Sequence, residues 1–224
     1  MKHFSSGVDG DNRFQTYIVD DNQQIRMSMA FILDSFGVQH QVFETGEAFL
    51  DRLADLTPGP ILLDIRMSGI DGIGVLAVLA ERGVKWPVIM MTGHGDVAIA
   101  VTAMKMGAIE FLEKPFNPET LIESLTRGFA ILSETSAIEQ EKAAARSRLA
   151  ALTPRESDVV HSLIDGSANK IVAYKLGLSP RTVEMHRANA FAKLGLRSIA
   201  DLVRIVSAAG TAATRVDSGG SMTH

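Results

Sequence analysis

Five residues of this 224-residue chain could do chemistry together, and each comes at the end of a short apolar run. Asp20 and Asp21 follow Tyr17-Ile18-Val19, and Asp64 follows Ile61-Leu62-Leu63. Thr92 follows Val88-Ile89-Met90-Met91, and Lys114 comes just after Ile109-Glu110-Phe111-Leu112. Singly, each has an ordinary reading: Asp20 and Asp21 as helix caps, Asp64 and Thr92 as turn formers, Lys114 as a solvated charge. Jointly they lie at corresponding strand ends, which in a parallel α/β sheet share one edge, the edge where ligands bind. Three carboxylates brought together repel, and one or more stays protonated unless a cation joins them. Hard oxygen ligands with room for water suit Mg²⁺. Such an ion beside a free oxygen of Asp64 could neutralise a phosphoryl group during in-line transfer. Lys114 could hold a second phosphoryl oxygen as a point charge, and the Thr92 hydroxyl a third. The parts of other chemistries are missing: there is no GxxxxGK[ST] loop, no GxSxG elbow, and Arg66 stands where a haloacid-dehalogenase-like phosphatase would carry a second Asp.

The elements that must position these residues alternate along the chain. After Tyr17–Val19 the pattern is helical from Asn22 to Phe36, strand-like around Val38 to Phe43 and helical from about Gly46 to Leu56. The Asp64 strand, a helix from about Asp71 to Arg82, a strand over Pro87–Met91 and a helix over Asp96–Met106 follow. The series ends with a strand over Ile109–Leu112 and a helix opening at Asn117-Pro118, a natural N-cap and first helical residue. Five βα units in this length imply a doubly wound, five-stranded parallel sheet over residues 14–128. Residues 1–13, polar and rich in Gly, Ser and Asp, read as a disordered lead-in, and 129–150 as a helical linker continuing the fifth helix.

From Thr153 the punctuation changes. Thr153-Pro154-Arg155-Glu156 is a capping box, Gly166 closes that helix and Ser167 can cap the next. Gly177 closes the second helix, Ser179-Pro180 opens a third that Gly195 stops, and a fourth runs from about Ile199 to Ala208. The tight Gly177-Leu178-Ser179 turn makes the middle pair a helix-turn-helix within an all-α four-helix unit over 151–208. The remaining 209–224 read as a disordered tail.

Composition narrows the function classes. There is no cysteine, which excludes disulfides, thiol catalysis and Cys-zinc sites, and the six His lack metal-ligand spacing. No apolar run reaches the roughly 18 residues of a membrane span and no signal core follows Lys2, so the expected address is the cytoplasm, without membrane partners. Charge is divided: residues 14–128 carry 8 Lys+Arg against 15 Asp+Glu, and 151–208 carry 8 against 5. Only the basic part is suited to a polyanion. On its third helix Val183, Phe191 and Leu194 can face the bundle, leaving Arg181, Thr182, Glu184, Met185, Arg187 and Ala188 outward. Arg, Thr and His near a helix N-terminus can hold phosphates, Glu184 could accept from a cytosine amino group, and Met185 or Ala188 could touch a thymine methyl.

Two resemblances join these halves. Val19-Asp20-Asp21, Leu63-Asp64 with Met67, Met91-Thr92-Gly93-His94-Gly95-Asp96 and Phe111-Leu112-Glu113-Lys114-Pro115-Phe116 resemble a two-component receiver domain of the FixJ branch. The likeness implies that Asp64 takes phosphate from a sensor histidine kinase. Mg²⁺ would then sit among Asp20 or a water it holds, Asp21, Asp64 and the main-chain carbonyl of Arg66. It also implies Thr92 and Phe111 as a switch pair and a cis Lys114-Pro115 bond. Ser68 departs from the family's usual Pro, which implies a less rigid loop after the phosphoacceptor. Leu152–Glu156, Asn169-Lys170-Ile171-Val172-Ala173 and Leu178–His186 resemble the LuxR/NarL/FixJ helix-turn-helix. That likeness implies Glu184, Met185 and Ala188 on bases and Lys170, Arg181, Thr182, His186 and Arg187 on or near the backbone of double-stranded promoter DNA. It further implies dimers through the last helix around Leu202, Ile205 and Val206, on half-sites one helical turn apart, and contact with RNA polymerase. A second dimer face is expected on phosphorylation at Ala98, Val101, Lys105 and Phe111, because helix 96–106 is more apolar than one buried stripe needs. The expected whole is a phosphorylation-activated transcription regulator, not an enzyme beyond catalysing its own phosphorylation and dephosphorylation. The alternatives are a phosphate sink and a protein-interaction regulator without direct DNA output.

Overall fold

The computed structural model of the chain describes residues 14–93 and 97–210. The lead-in over 1–13, the segment His94, Gly95 and Asp96, and the tail from 211 lie outside them. The chain folds as two compact units, with the division between Thr135 and Ser136.

In the first unit the strands are β1 Thr16–Val19, β2 His40–Phe43, β3 Ile61–Asp64, β4 Val88–Thr92 and β5 Glu110–Glu113. The helices are α1 Gln23–Ser35, α2 Gly46–Arg52, α3 Gly72–Glu81, α4 Val97–Lys105 and the start of α5 Pro118–Ala150. All strand pairs are parallel, in the order β2-β1-β3-β4-β5. The strands read as unbroken apolar runs because both faces are covered, and their side chains divide with period two. Tyr17, Val19, Ile61, Leu63, Val88 and Met90 face one core with α2 and α3, while Ile18, Leu62, Ile89 and Met91 face the other with α1 and α5. β2 is shorter than the expected Val38–Phe43: Val38 is buried beside Leu33 in the second core, but pairing with β1 starts only at His40.

The strand order reverses between β1 and β3, and in doubly wound sheets that switch point opens a crevice at the carboxyl ends. Asp20 and Asp21 leave β1 there and Asp64 ends β3. The helices that follow are held to this edge by side-chain caps: Asn22 accepts the N–H groups of Gln24 and Ile25, Thr45 that of Ala48, and Asp71 that of Gly74. At Gly72 the approach of α3 to the strand end is so close that a Cβ would lie 2.2 Å from the main-chain oxygen of Asp64. Only glycine permits the Gly72 N–H to reach the Ile65 carbonyl at 2.9 Å.

The stretch 129–150 is helical, as expected of a linker, but it divides between the units. Phe129 packs against the core of the first, whereas Ala145 is buried and Leu149 packs against the core of the second. In the second unit α6 Pro154–Ile164, α7 Asn169–Leu176, α8 Pro180–Leu194 and α9 Ile199–Ala208 enclose Val159, Val160, Leu163, Val172, Val183, Ala190, Leu194 and Leu202. The α7–α8 turn hinges on Gly177 at φ +65, a left-handed position. Two expectations are corrected. Ser167 does not cap α7; the cap position is Ala168, without a side-chain bond, and the Ser167 hydroxyl accepts from Lys175. The tail does not begin at 209, since Ala209 is buried and its carbonyl accepts from Arg146 Nε at 3.0 Å.

The capping box at Thr153 and Glu156 forms as expected, and Glu156 is also buried and accepts from Lys193 Nζ of α8 at 2.7 Å. The Lys193 ammonium, followed by the Thr153 N–H, holds the Glu156 carboxyl down at about 2 from its ordinary 4.5. A carboxyl with a depressed folded value stabilises the fold above its unfolded value and loses that contribution as pH falls through the folded one. Glu156→Gln is therefore expected to lower the urea midpoint of the second unit at neutral pH, with the difference from wild type shrinking as pH falls from about 4.5 toward about 2.

Candidate functional site

The strand ends bring Asp20, Asp21, Asp64 and Lys114 together. One oxygen from each carboxylate lies within 4.8 Å of the others, a spacing compatible with a shared cation. Lys114 Nζ donates to Asp20 Oδ2 at 2.7 Å and to Asp64 Oδ1 at 2.6 Å. Asp20 is fully buried, its Oδ1 accepting the Asn22 N–H at 2.9 Å and its carbonyl accepting from the Arg26 guanidinium at 2.6 Å. The Lys114-Pro115 peptide is cis. The Lys114 main-chain N–H donates to the Thr92 carbonyl at 2.7 Å, so the Lys114 backbone stands beside the end of β4 while its ammonium reaches Asp20 and Asp64. Thr92 is buried and its hydroxyl donates to the Gly93 carbonyl at 3.0 Å. Phe111, on β5, is half-buried against the first core.

Three carboxylates face one ammonium, an imbalance that a divalent cation would relieve. Burial pushes the Asp64 carboxyl up; the Lys114 hydrogen bond and charge oppose this, and the charges of Asp20 and Asp21 add to it. The donor set is wholly oxygen, which fits Mg²⁺ and does not fit a soft metal.

The loop from β3 to α3 is tied down by two carboxylates. Ser68 N–H donates to Asp21 Oδ2 at 2.7 Å, and Ile70 N–H donates to Glu47 Oε1 at 2.7 Å. At Ser68, where a less rigid loop is expected, serine brings an N–H that proline lacks, and that donor bonds the loop to Asp21. Glu47 and Arg26 were not singled out in the sequence. Each reads there as an ordinary charge in the first turns of a helix, and their partners, a loop N–H 23 residues away and a main-chain carbonyl, leave no mark in composition. Arg66 lies in the same loop, with an exposed side chain.

In the second unit Arg181, Glu184, Met185 and Ala188 of α8 and Lys170 of α7 are exposed, while Thr182, His186 and Arg187 are half-buried. The Thr182 N–H and hydroxyl are engaged by the cap Ser179, at 3.1 and 2.8 Å, and the Arg187 guanidinium lies 5.4 Å over the Phe191 ring. These contacts orient the two side chains along their own helix. Of the residues expected at a last-helix dimer face, Leu202 is fully buried and Val206 nearly so, both within the core, and Ile205 is half-buried. The apolar residues that α9 leaves exposed are Ile199 and Val203, because a helix one face deep in a core turns positions i and i+4 outward together. On α4, Ala98, Val101 and Lys105 are exposed, with Val101 at 50%.

A raised Asp64 carboxyl predicts a pH signature. The folded state holds this proton more tightly than the unfolded chain, so stability falls as pH rises from the ordinary 3.8 through the folded value. Asp64→Asn in magnesium-free buffer is expected to raise the urea midpoint of the first unit at pH 7, and the gain should vanish below about pH 3.8.

The chain matches two family models in succession: the response regulator receiver domain over residues 16–126, and the bacterial regulatory proteins of the luxR family over 150–206. It is 43% identical over 197 residues to the transcriptional regulatory protein FixJ of Bradyrhizobium diazoefficiens, covering 87% of this chain and 95% of that one. Against FixJ of Rhizobium meliloti the identity is 40%, covering 88% and 97%. The response regulator StyR superposes with a TM-score of 0.77 at 34% identity, covering 86% of this chain and 98% of its own. Among the described residues no helix is long and apolar enough to cross a membrane. With a receiver fold whose acidic edge is complete and a helix-turn-helix beyond it, the chain belongs to the response regulators that couple a receiver to a LuxR-type DNA-binding domain, phosphorylation-activated transcription regulators of two-component systems.

Proposed function

We propose that Asp64 is the phosphoacceptor and that the exposed face of α8 reads promoter DNA. One observation carries the first part: Asp64 ends the strand at the sheet's switch point, with Lys114 on Oδ1 and oxygens of Asp20 and Asp21 within 4.8 Å. An Asp64 oxygen attacks the phosphorus of a phosphohistidine on the sensor kinase; the P–N bond breaks and the imidazole nitrogen keeps its electron pair and takes up a proton. Asp20, Asp21, Asp64 and the Arg66 carbonyl would hold Mg²⁺, which would supply positive charge to the phosphoryl oxygens when bound. Lys114 then pairs with a phosphoryl oxygen in place of the Asp64 charge, and the Thr92 hydroxyl leaves the Gly93 carbonyl for another. Phe111 follows Thr92 as the second member of the switch. The chain turns over no other substrate.

The receiver spans 14–128 and the DNA-binding unit 151–208 in this reading. Glu184, Met185 and Ala188 meet base edges, while Lys170, Arg181, Thr182, His186 and Arg187 serve the backbone. The supporting observation is that α8 exposes Arg181, Glu184, Met185 and Ala188 together. Phosphorylated chains pair through Ala98, Val101, Lys105 and Phe111, bind as dimers in the cytoplasm and act with RNA polymerase. Footprinting over genomic fragments tests the reading. Protection should strengthen with a phosphodonor for wild type and stay unchanged for Asp64→Asn. Absence of any footprint would identify a phosphate sink instead, and binding indifferent to salt a protein-docking bundle. Arg181→Ala should weaken binding evenly across sequences and reduce the salt slope by about 1.

A further inference from the structure

We infer that the main-chain N–H of Ser68 is a positioning group of the metal site, an inference that rests on the Mg²⁺ reading of the acidic edge. Its basis is a hydrogen bond of 2.7 Å spanning 47 residues of sequence, from the loop after β3 to Oδ2 of Asp21 after β1. Asp20 and Asp64 are buried and share the Lys114 ammonium, so their carboxylates are already held. Asp21 is different: it is half-exposed, and the ion pairs that Lys114 makes fix the other two carboxylates. Its side chain can rotate away into water unless something retains it. The Ser68 N–H retains it in the orientation that keeps an Asp21 oxygen within 4.8 Å of oxygens from Asp20 and Asp64.

The donor is itself well placed. Two residues on, the Ile70 N–H is anchored on Glu47 at the start of α2, so the peptide that holds Asp21 belongs to a loop fixed at both points. A charge-assisted N–H bond of this length is stronger than its neutral counterpart. Outer partners that orient a metal-ligating side chain typically change metal affinity 10- to 100-fold when lost. Because the group is a backbone amide, its side chain is immaterial, and only proline removes it.

The test is calorimetric titration of the full chain with MgCl₂. Ser68→Pro should bind Mg²⁺ about tenfold more weakly than wild type, and Ser68→Ala, which keeps the N–H, should match wild type. A second readout needs no metal: in magnesium-free protein, amide hydrogen exchange at Ser68 should be faster in Asp21→Ala than in wild type, while Ile70, held by Glu47, stays unchanged. This readout decides the matter if Ser68→Pro does not fold. Equal Mg²⁺ affinity in Ser68→Pro and wild type, or equal Ser68 exchange with and without the Asp21 carboxylate, overturns the positioning role alone. A wild type that takes up no Mg²⁺ overturns the metal reading on which it stands.

Discussion

The first unit depends on a charge imbalance held at low solvent exposure. Two buried carboxylates share one ammonium at 2.7 and 2.6 Å, and a third carboxylate stands beside them. Isolated ions at such exposure are costly, and a partnered ion is tolerated only where hydrogen bonds complete its shell. The surroundings meet that condition for Asp20 with the Asn22 N–H, and for Asp21 with the Ser68 N–H. What they do not do is balance the charge. The remaining negative charge makes the edge receptive to a divalent cation and, with it, to a phosphoryl group.

The same requirement explains details of the fold around the edge. Gly72 lets α3 press against the end of β3, and Asn22, Thr45 and Asp71 cap the helices that begin there. The β3–α3 loop joins both: it leaves the end of β3, reaches Asp21 through Ser68 and reaches α2 through Ile70. The Asp21 carboxylate is thus bonded directly to the main chain of this loop, through the Ser68 N–H.

The second unit solves a simpler problem, presenting one face of α8. Its inner side is anchored by Val183, Ala190 and Leu194, and its C-terminal end by the Lys193 bond to buried Glu156. A single carboxylate thus starts α6 and fastens α8. The outward set of Arg181, Glu184, Met185 and Ala188 is what remains once these contacts are made.

Sequence alone determined what depends on local pattern and residue type: the alternation of strands and helices, the capping box at Thr153, the turn at Gly177, and the set of acids and lysine at the strand ends. These were legible because period, capping and chemistry act over a few residues. Tertiary structure decided which groups meet across the chain. That Leu202 and Val206 are core while Ile199 and Val203 are surface depends on how α9 packs, and all four are the same kind of residue. That Glu47 and Arg26 serve the site depends on main-chain partners, which every residue offers and no composition reveals. Ser68 shows the division most clearly. Its identity signalled a departure from the family's usual residue, but only the fold brings its N–H to a carboxylate 47 residues earlier in the chain.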